Sequence, residues 1–315
     1  MTHEPAPGQR GPRWPSLPVA EWVATRDTLQ LLTQMVGKVR MANTPTVNHW
    51  WNVPLYVTAR GLTTSLIPHP TGPGFQIDFD LCSHQLEILS VTGSKRSFQL
   101  ESQPVAAFFA QLMAALDELG VGTPIWPVPV EIEGALPFRT DRVHDTYDPD
   151  HAHRFWLLLV EAQRVFVEFR GQFLGKASPV HLFWGALDLA VTRFSGRPAP
   201  PYTGHVPNCG PHVMHEAYSH EVSSCGYWPG GEGGGLFYSY AYPEPATFRD
   251  CRVTPDESSY NEALGEFVLP YDVVRTAADP DAVLLGFLQS TYEAAAERGG
   301  WDRKALERPS GSPTA

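Results

Sequence analysis

Cysteine is scarce in this chain. Cys82, Cys209, Cys225 and Cys251 are the four among 315 residues, and no two stand at Cys-x-x-Cys spacing. That argues against a disulfide-stapled scaffold and leaves free thiols in a reducing compartment as the expectation. Basic residues are short as well. Lys and Arg number 23 against 34 Asp and Glu, for a formal net charge of −11, and no basic run appears. Phosphate contacts need clustered cations, so nucleic acid is not an expected partner. An anionic membrane surface is disfavoured on the same ground. No window approaches the about 18 uninterrupted apolar residues of a spanning helix. The opening MTHEPAPGQRGPRWPSLP has no apolar stretch of the kind a secretory leader uses, so cytoplasm is the expected compartment. Also missing are Gly-x-Ser-x-Gly, a phosphate-binding loop, a paired-carboxylate signature and a dinucleotide fingerprint.

What remains is a chain rich enough in apolar residues, 43% with 11% aromatics, to bury a sizeable core. Its periodicity predicts an α+β fold in which one helix–antiparallel-sheet–helix unit occurs twice, between tails at 1–16 and 308–315. The first unit, 17–135, opens with a helix near 19–37 whose stripe is Trp22, Leu29, Leu32, Met35 and Val36. Strands are expected at 50–59, 75–80 and 85–91, then a helix at 104–119 behind Pro104. The second unit, 136–307, opens with a helix at 149–174, with Asp148 as N-cap and Pro149 as its first residue. Strands are expected at 181–194, 217–226, 236–242 and 265–271, and a closing helix at 280–298.

Some identities recur in order. Gln34-Met35-Val36-Gly37-Lys38 matches Gln172-Phe173-Leu174-Gly175-Lys176, Trp50 matches Trp184, and Leu55-Tyr56-Val57-Thr58 matches Leu189-Ala190-Val191-Thr192. The alternative is a single α+β domain with coincidental Gly-Lys turns. The second unit carries an extra stretch, 195–235. It comprises a Pro-rich insertion (195–216) with no evident regular structure and a Gly-rich loop at 229–235, readable as a flap or a linker.

Candidate chemistry gathers in that stretch. His205, His212, His215 and His220 lie close together in sequence, with Cys209, Cys225 and Glu221 nearby, a donor mix that a divalent metal accepts. Against this, Pro207 and Pro211 disfavour a regular helix there, and solvated loop histidines are the competing reading. His220 and Cys225 invite comparison with a nucleophile–base pair. On a regular strand, however, they face opposite sides about 16 Å apart. A buried structural cysteine is the plainer reading, and a Cys225 thiolate would need His181 or His49 as partner. His49 and His181 each begin the first strand of their unit, on its apolar face. Arg193 and Arg60 end strands and are candidate anion anchors. Asp188 interrupts an apolar strand, where an unpaired carboxylate is costly.

The string SHEVSSCGYWPGG at 219–231 resembles the marker segment of a bacterial family known as domain of unknown function 5996. Further matches are VTARGLTTS at 57–65, SPVHLFWG at 178–185, DLAVTRFSGR at 188–197, AYPEP at 241–245 and LPYDVVRTAADPD at 269–281. They extend over about 14–309. The resemblance implies one full-length family domain in a bacterial cytoplasmic protein, and supplies no activity or cofactor.

The expected site is therefore a pocket between the units that takes a small polar or aromatic molecule. Trp184, Tyr218, Trp228, His49 and Arg193 are its candidate binding residues, with Trp50, Trp51 and Tyr227 as further aromatic lining. An enzyme would use His220 as general acid or base, Glu221 to orient it or to hold a metal, and Cys225 or His181 beside them. A non-catalytic binding or sensing protein would use the same pocket, with the Gly-rich loop closing over it. A structural, partner-binding role predicts no deep pocket.

Overall fold

The computed structural model describes residues 13–231 and 233–309. Among them are seven helices and two antiparallel sheets, of five and six strands, an α+β architecture. No helix among them is long and apolar enough to cross a membrane.

Helix α1 (Val19–Asn43) presents the expected stripe but runs six residues past residue 37. Gly37 stays helical because the Trp184 indole lies directly on it. A Cβ there would be 2.0 Å from Trp184 Nε1. Lys38 follows, buried, with Nζ donating to the Val128 carbonyl at 2.6 Å. In the second unit α3 (Pro149–Gly171) ends before Gly175-Lys176. The two Gly-Lys strings thus occupy inequivalent places, one inside a helix and one beyond a helix end.

The first sheet is a meander of β1 (Tyr56–Val57), β2 (Gly61–Thr63), β3 (Phe75–Asp80), β4 (Gln85–Ser90) and β5 (Lys95–Gln99). Phe75, Ile77 and Phe79 alternate inward with Leu86 and Ile88, and α2 (Val105–Glu118) adds Phe108 and Leu112 to the same core. The expected strand at 50–59 is instead a 3-10 turn, Asn48–Trp50, followed by the short β1. Pro54 has no N–H to give a ladder. His49 and Trp50 take φ of 58° and 61°, so His49 does not begin a strand.

The second sheet holds β6 (His181–Phe183), β7 (Asp188–Pro198), β8 (His220–Trp228), β9 (Leu236–Tyr242), β10 (Ser259–Asn261) and β11 (Glu266–Pro270), in the order β10-β11-β9-β8-β7-β6. The stretch expected as one strand, 181–194, is a hairpin that turns at 184–187 with Leu187 at φ 60°. Edge strands β1 and β6 meet at a single bridge. Leu55 and Leu182 exchange both backbone hydrogen bonds, at 3.0 and 2.8 Å.

The insertion is more ordered than its composition implies. β7 extends to Pro198, and α4 (Pro211–Ala217) forms at the His212-x-x-His215 segment. Pro211 opens this helix and does not break it, because the first turn has no use for its missing N–H. Helices α3 and α6 (Pro280–Arg298) cover one face of the second sheet; α5 (Tyr271–Thr276) and α7 (Arg303–Leu306) flank α6. Asp148 caps α3 by accepting from His151 N–H at 2.9 Å.

Trp14 and Pro15, assigned above to the leading tail, are buried. Trp14 packs on Phe237 and Tyr271, and Tyr271 donates to the Pro15 carbonyl at 2.8 Å. Arg308, assigned to the trailing tail, is tied to Gly171 and Gln172. Residues 1–12 and 310–315 of these tails lie outside the described residues.

Candidate functional site

The face of the second sheet away from α3 and α6 is the floor of a cavity of about 420 Å³. Period-two geometry selects its residues. β7 supplies Asp188, Ala190, Thr192 and Phe194, β8 supplies Val222 and Ser224, β9 supplies Tyr238 and Tyr240, and β6 supplies His181 and Phe183. The walls come from the other half of the chain: Lys38 and Met41 of α1, the turn His49–Trp51, and Trp126, Val130 and Glu131. Residues 206–210 and α4 form the roof.

Three hydrogen bonds fasten that roof to the turn. His49 N–H donates to Glu216 Oε1 at 2.9 Å, His49 Nδ1 donates to the Ala217 carbonyl at 3.1 Å, and Trp50 Nε1 donates to the Val213 carbonyl at 2.8 Å. His49 Nε2 is thereby left to accept from Lys176 Nζ at 2.7 Å. Burial favours the neutral imidazole and lowers its pKa. A left-handed non-glycine residue costs about 1–3 kcal/mol, and these bonds offset two in succession. Among the described residues eight non-glycines have positive φ, and four of them, His49, Trp50, Glu131 and Asn208, line the cavity. Such strain concentrates where function requires a geometry the chain would not otherwise choose.

The opposite wall hangs on Gln34, which is fully buried in α1. Its amide exchanges hydrogen bonds with Val130, accepting from N–H and donating to the carbonyl, both at 2.9 Å. It also donates to the Gly185 carbonyl at 3.1 Å. This anchors the irregular connector that carries Glu131, whose own N–H donates to the Pro207 carbonyl at 2.8 Å. The Glu131 carboxylate lies over Gly185, where a Cβ would come within 1.9 Å of Oε1.

Two carboxyls face this interior. Asp188 accepts from the Tyr238 hydroxyl at 2.5 Å. Burial pushes its pKa up to about 6, with the Tyr238 bond pulling the other way. Glu131 remains accessible to water through the cavity mouth while protein surrounds it, and desolvation, with the Asp188 charge adding to it, pushes its carboxyl up to about 7. Lys38, by contrast, is lowered to about 8 by burial. His181 is wholly buried and lowered to about 4 for the same reason; its Nδ1 donates to the Ala190 carbonyl at 3.0 Å and its Nε2 has no partner among the described residues. A hydroxyl network crosses the floor, with Tyr218 donating to Tyr240 at 3.0 Å and Thr192 and Ser224 paired at 2.8 Å.

Of the residues singled out from sequence, His49, His181, Trp184 and Tyr218 line this cavity, with Trp50 and Trp51. His220 stands beside it, its ring 5.6 Å from that of His49 and its Nδ1 3.1 Å from Ser219 Oγ. The others lie elsewhere. Glu221 points away and is bound by Arg197 and by the Ser195 hydroxyl. Cys225 lies on the helix-covered face, its thiol 3.6 Å from the Val191 carbonyl. Burial pushes its pKa up to about 12, against the pull of Arg193. Arg193 is on that face too, sandwiched 3.4 Å from the Phe169 ring centroid and 4.3 Å from that of Tyr292, and donating to the Phe169 carbonyl. Its guanidinium is therefore a core group with no opening to the cavity.

Tyr227 and Trp228 are not lining residues either. Tyr227 donates to the Gly234 carbonyl at 2.8 Å, which docks the Gly-rich segment against the core; Gly233 accepts from Val19 N–H and Gly235 from Tyr271 N–H. None of the described residues of that segment lines the cavity. His212 and His215 share α4, yet among the described residues no three His, Cys, Asp or Glu side chains converge as metal ligands.

Glu131, Gln34 and Lys38 were not singled out. Glu131 sits in a Pro-rich connector, and the amide and the amine sit on an amphipathic helix, where polar residues ordinarily face water.

The cavity is built from both halves of the chain, in keeping with a resemblance that extends over nearly its whole length. No curated protein and no solved structure matches the chain. The sequence profile of a family of unknown function, DUF5996, matches residues 14–308, and the chain belongs to that family.

Proposed function

We propose that the chain binds a small organic molecule in the cavity between its halves. The observation that carries this reading is the cavity itself. A volume of about 420 Å³ is within the range of small-molecule sites, and aromatic faces with a few convergent polar groups line it. The strained residues clustered around its rim support the same reading. Both halves run helix, antiparallel sheet, helix, and their edge strands meet. That order supports descent from one duplicated unit, with the site at the junction. A bacterial, cytoplasmic setting belongs to the same proposal.

A second reading is an enzyme performing proton transfer on the bound molecule. The raised pKa values of Asp188 and Glu131, close to neutral pH, favour it. These two carboxyls are better placed for that work than Cys225 and Glu221, which do not face the cavity.

Thermal-shift screening of the purified chain against a small-molecule library tests binding, with Met214→Trp as the control. α4 has no fully buried residue, so a larger side chain at Met214 fills cavity volume without disturbing the core. Hits that stabilise the wild type but not this variant are expected. Hits that stabilise both equally would place binding elsewhere and remove the proposal.

A further inference from the structure

The hydrogen-bonding groups of the cavity are unevenly committed, and the imbalance selects a ligand. Several of its side-chain donors already bond the protein. Lys38 donates to the Val128 carbonyl, Trp50 to Val213, Trp184 to Val53, Asn208 to Ile132, and Tyr238 to Asp188. Free acceptor capacity gathers in three groups. His181 spends its one N–H on the Ala190 carbonyl, so Nε2 presents a bare lone pair, fully buried and without a partner. Asp188 uses one carboxylate oxygen for Tyr238. Among the described residues the Glu131 side chain has no hydrogen-bond partner, and neither carboxyl forms an ion pair with Lys, Arg or His.

Deepening the proposal above, and resting on it, we infer that the ligand is a small organic ammonium. Its N–H groups would be shared between Glu131 and Asp188, and its apolar body held against the aromatic walls. Two neighbouring carboxylates without a counter-charge destabilise one another, and an ammonium supplies the missing charge and the missing donors together. Indole and phenol faces add attraction for the same charge. A carboxylate or phosphate ligand fits poorly. It would meet two like charges and a lone pair, set against one lining amine, Lys38, which is tethered to the Val128 carbonyl and lies 4.7 Å from the centre of the Trp126 ring. The aromatic anion site first suggested by Arg193 has no counterpart here.

Titration calorimetry at pH 8 with three near-isosteric probes, tryptamine, tryptophol and indole-3-propionate, separates the charge from the ring. We expect tryptamine to bind at least about tenfold more tightly than tryptophol, with indole-3-propionate weakest. Asp188→Asn and Glu131→Gln are each expected to weaken tryptamine at least about fivefold while leaving tryptophol unchanged. Met214→Trp is expected to weaken both. Equal affinity for the three probes, or preference for the carboxylate, overturns the ammonium inference and leaves the cavity as a ligand site. Tryptamine binding that survives Met214→Trp overturns the inference by locating the amine elsewhere. Failure of all three probes also overturns it, and a library hit that is neutral or anionic and sensitive to Met214→Trp then preserves the broader reading alone.

Discussion

Replacing Gly37 by alanine sets two effects of opposite sign against each other. Inside a helix, alanine is favoured over glycine by about 1 kcal/mol, so propensity alone predicts a more stable protein. The tertiary structure predicts the reverse. The new Cβ would lie 2.0, 2.2 and 2.4 Å from Nε1, Cδ1 and Cε2 of Trp184. The indole would have to retreat by about 1 Å in a close-packed interior. It is not free to do so, being 6% exposed and donating to the Val53 carbonyl at 2.9 Å. Overpacking costs about 1–3 kcal/mol. Losing the buried hydrogen bond costs about 1–3 kcal/mol more. After the propensity gain, a net loss of about 1–5 kcal/mol is expected. Urea titration followed by far-UV circular dichroism reads this, since nine tryptophans complicate fluorescence. The midpoint should fall by about 1 M at unchanged slope. Gly171→Ala is the matched control at the end of α3, where a Cβ meets nothing within 4 Å; it should be neutral or slightly stabilising. A midpoint for Gly37→Ala at or above that of the wild type refutes the reasoning.

Asp188 should make the protein less stable as pH rises. Its carboxyl is raised from 3.8 to about 6 on folding, so its favourable contribution is complete below about pH 4 and is lost as pH climbs through 6. Asp188→Asn should therefore gain on the wild type between pH 4 and 7, by on the order of 2 kcal/mol in urea titrations; a constant difference across that window contradicts the assignment. Cys225 should resist iodoacetamide in the native state at pH 8 and react only on denaturation, whereas exposed Cys82 reacts in both. Peptide mapping by mass spectrometry checks this, and native alkylation of Cys225 at the rate of Cys82 contradicts its placement. Arg193→Met should lower stability by about 2–4 kcal/mol by removing a buried, stacked cation. Ligand-induced thermal shifts should persist in it; their complete loss in a folded Arg193→Met protein would reinstate Arg193 as a site residue.

Period-two and helical periodicities were enough to recover the α+β class, both long opening helices, the closing helices α2 and α6, and most strands of the second sheet. Local chemistry also read correctly at Asp148 and Pro149, where a cap and a first-turn proline need only their neighbours. Errors arose where long-range contacts overrode local signals. Gly37 reads as a helix end until Trp184 is laid upon it. His49 reads as a strand residue until α4 supplies partners for its left-handed backbone. The proline-rich insertion reads as irregular, although one proline serves as a helix start.

The candidate site divides along the same line. By itself the sequence determined which residues share a face of a strand, and so separated Cys225 from His220, because alternation is a property of the backbone alone. Only the tertiary structure decided which face is cavity and which lies beneath helices. That choice depends on where α3, α6 and α4 pack, and it sent Arg193 and Cys225 to the core. It also brought Glu131 from a connector between the units to the cavity that Asp188 faces, through hydrogen bonds to Gln34 nearly a hundred positions earlier. Burial and the meeting of distant groups set their charge and their free hydrogen-bonding capacity, and neither is encoded at any one position of the chain.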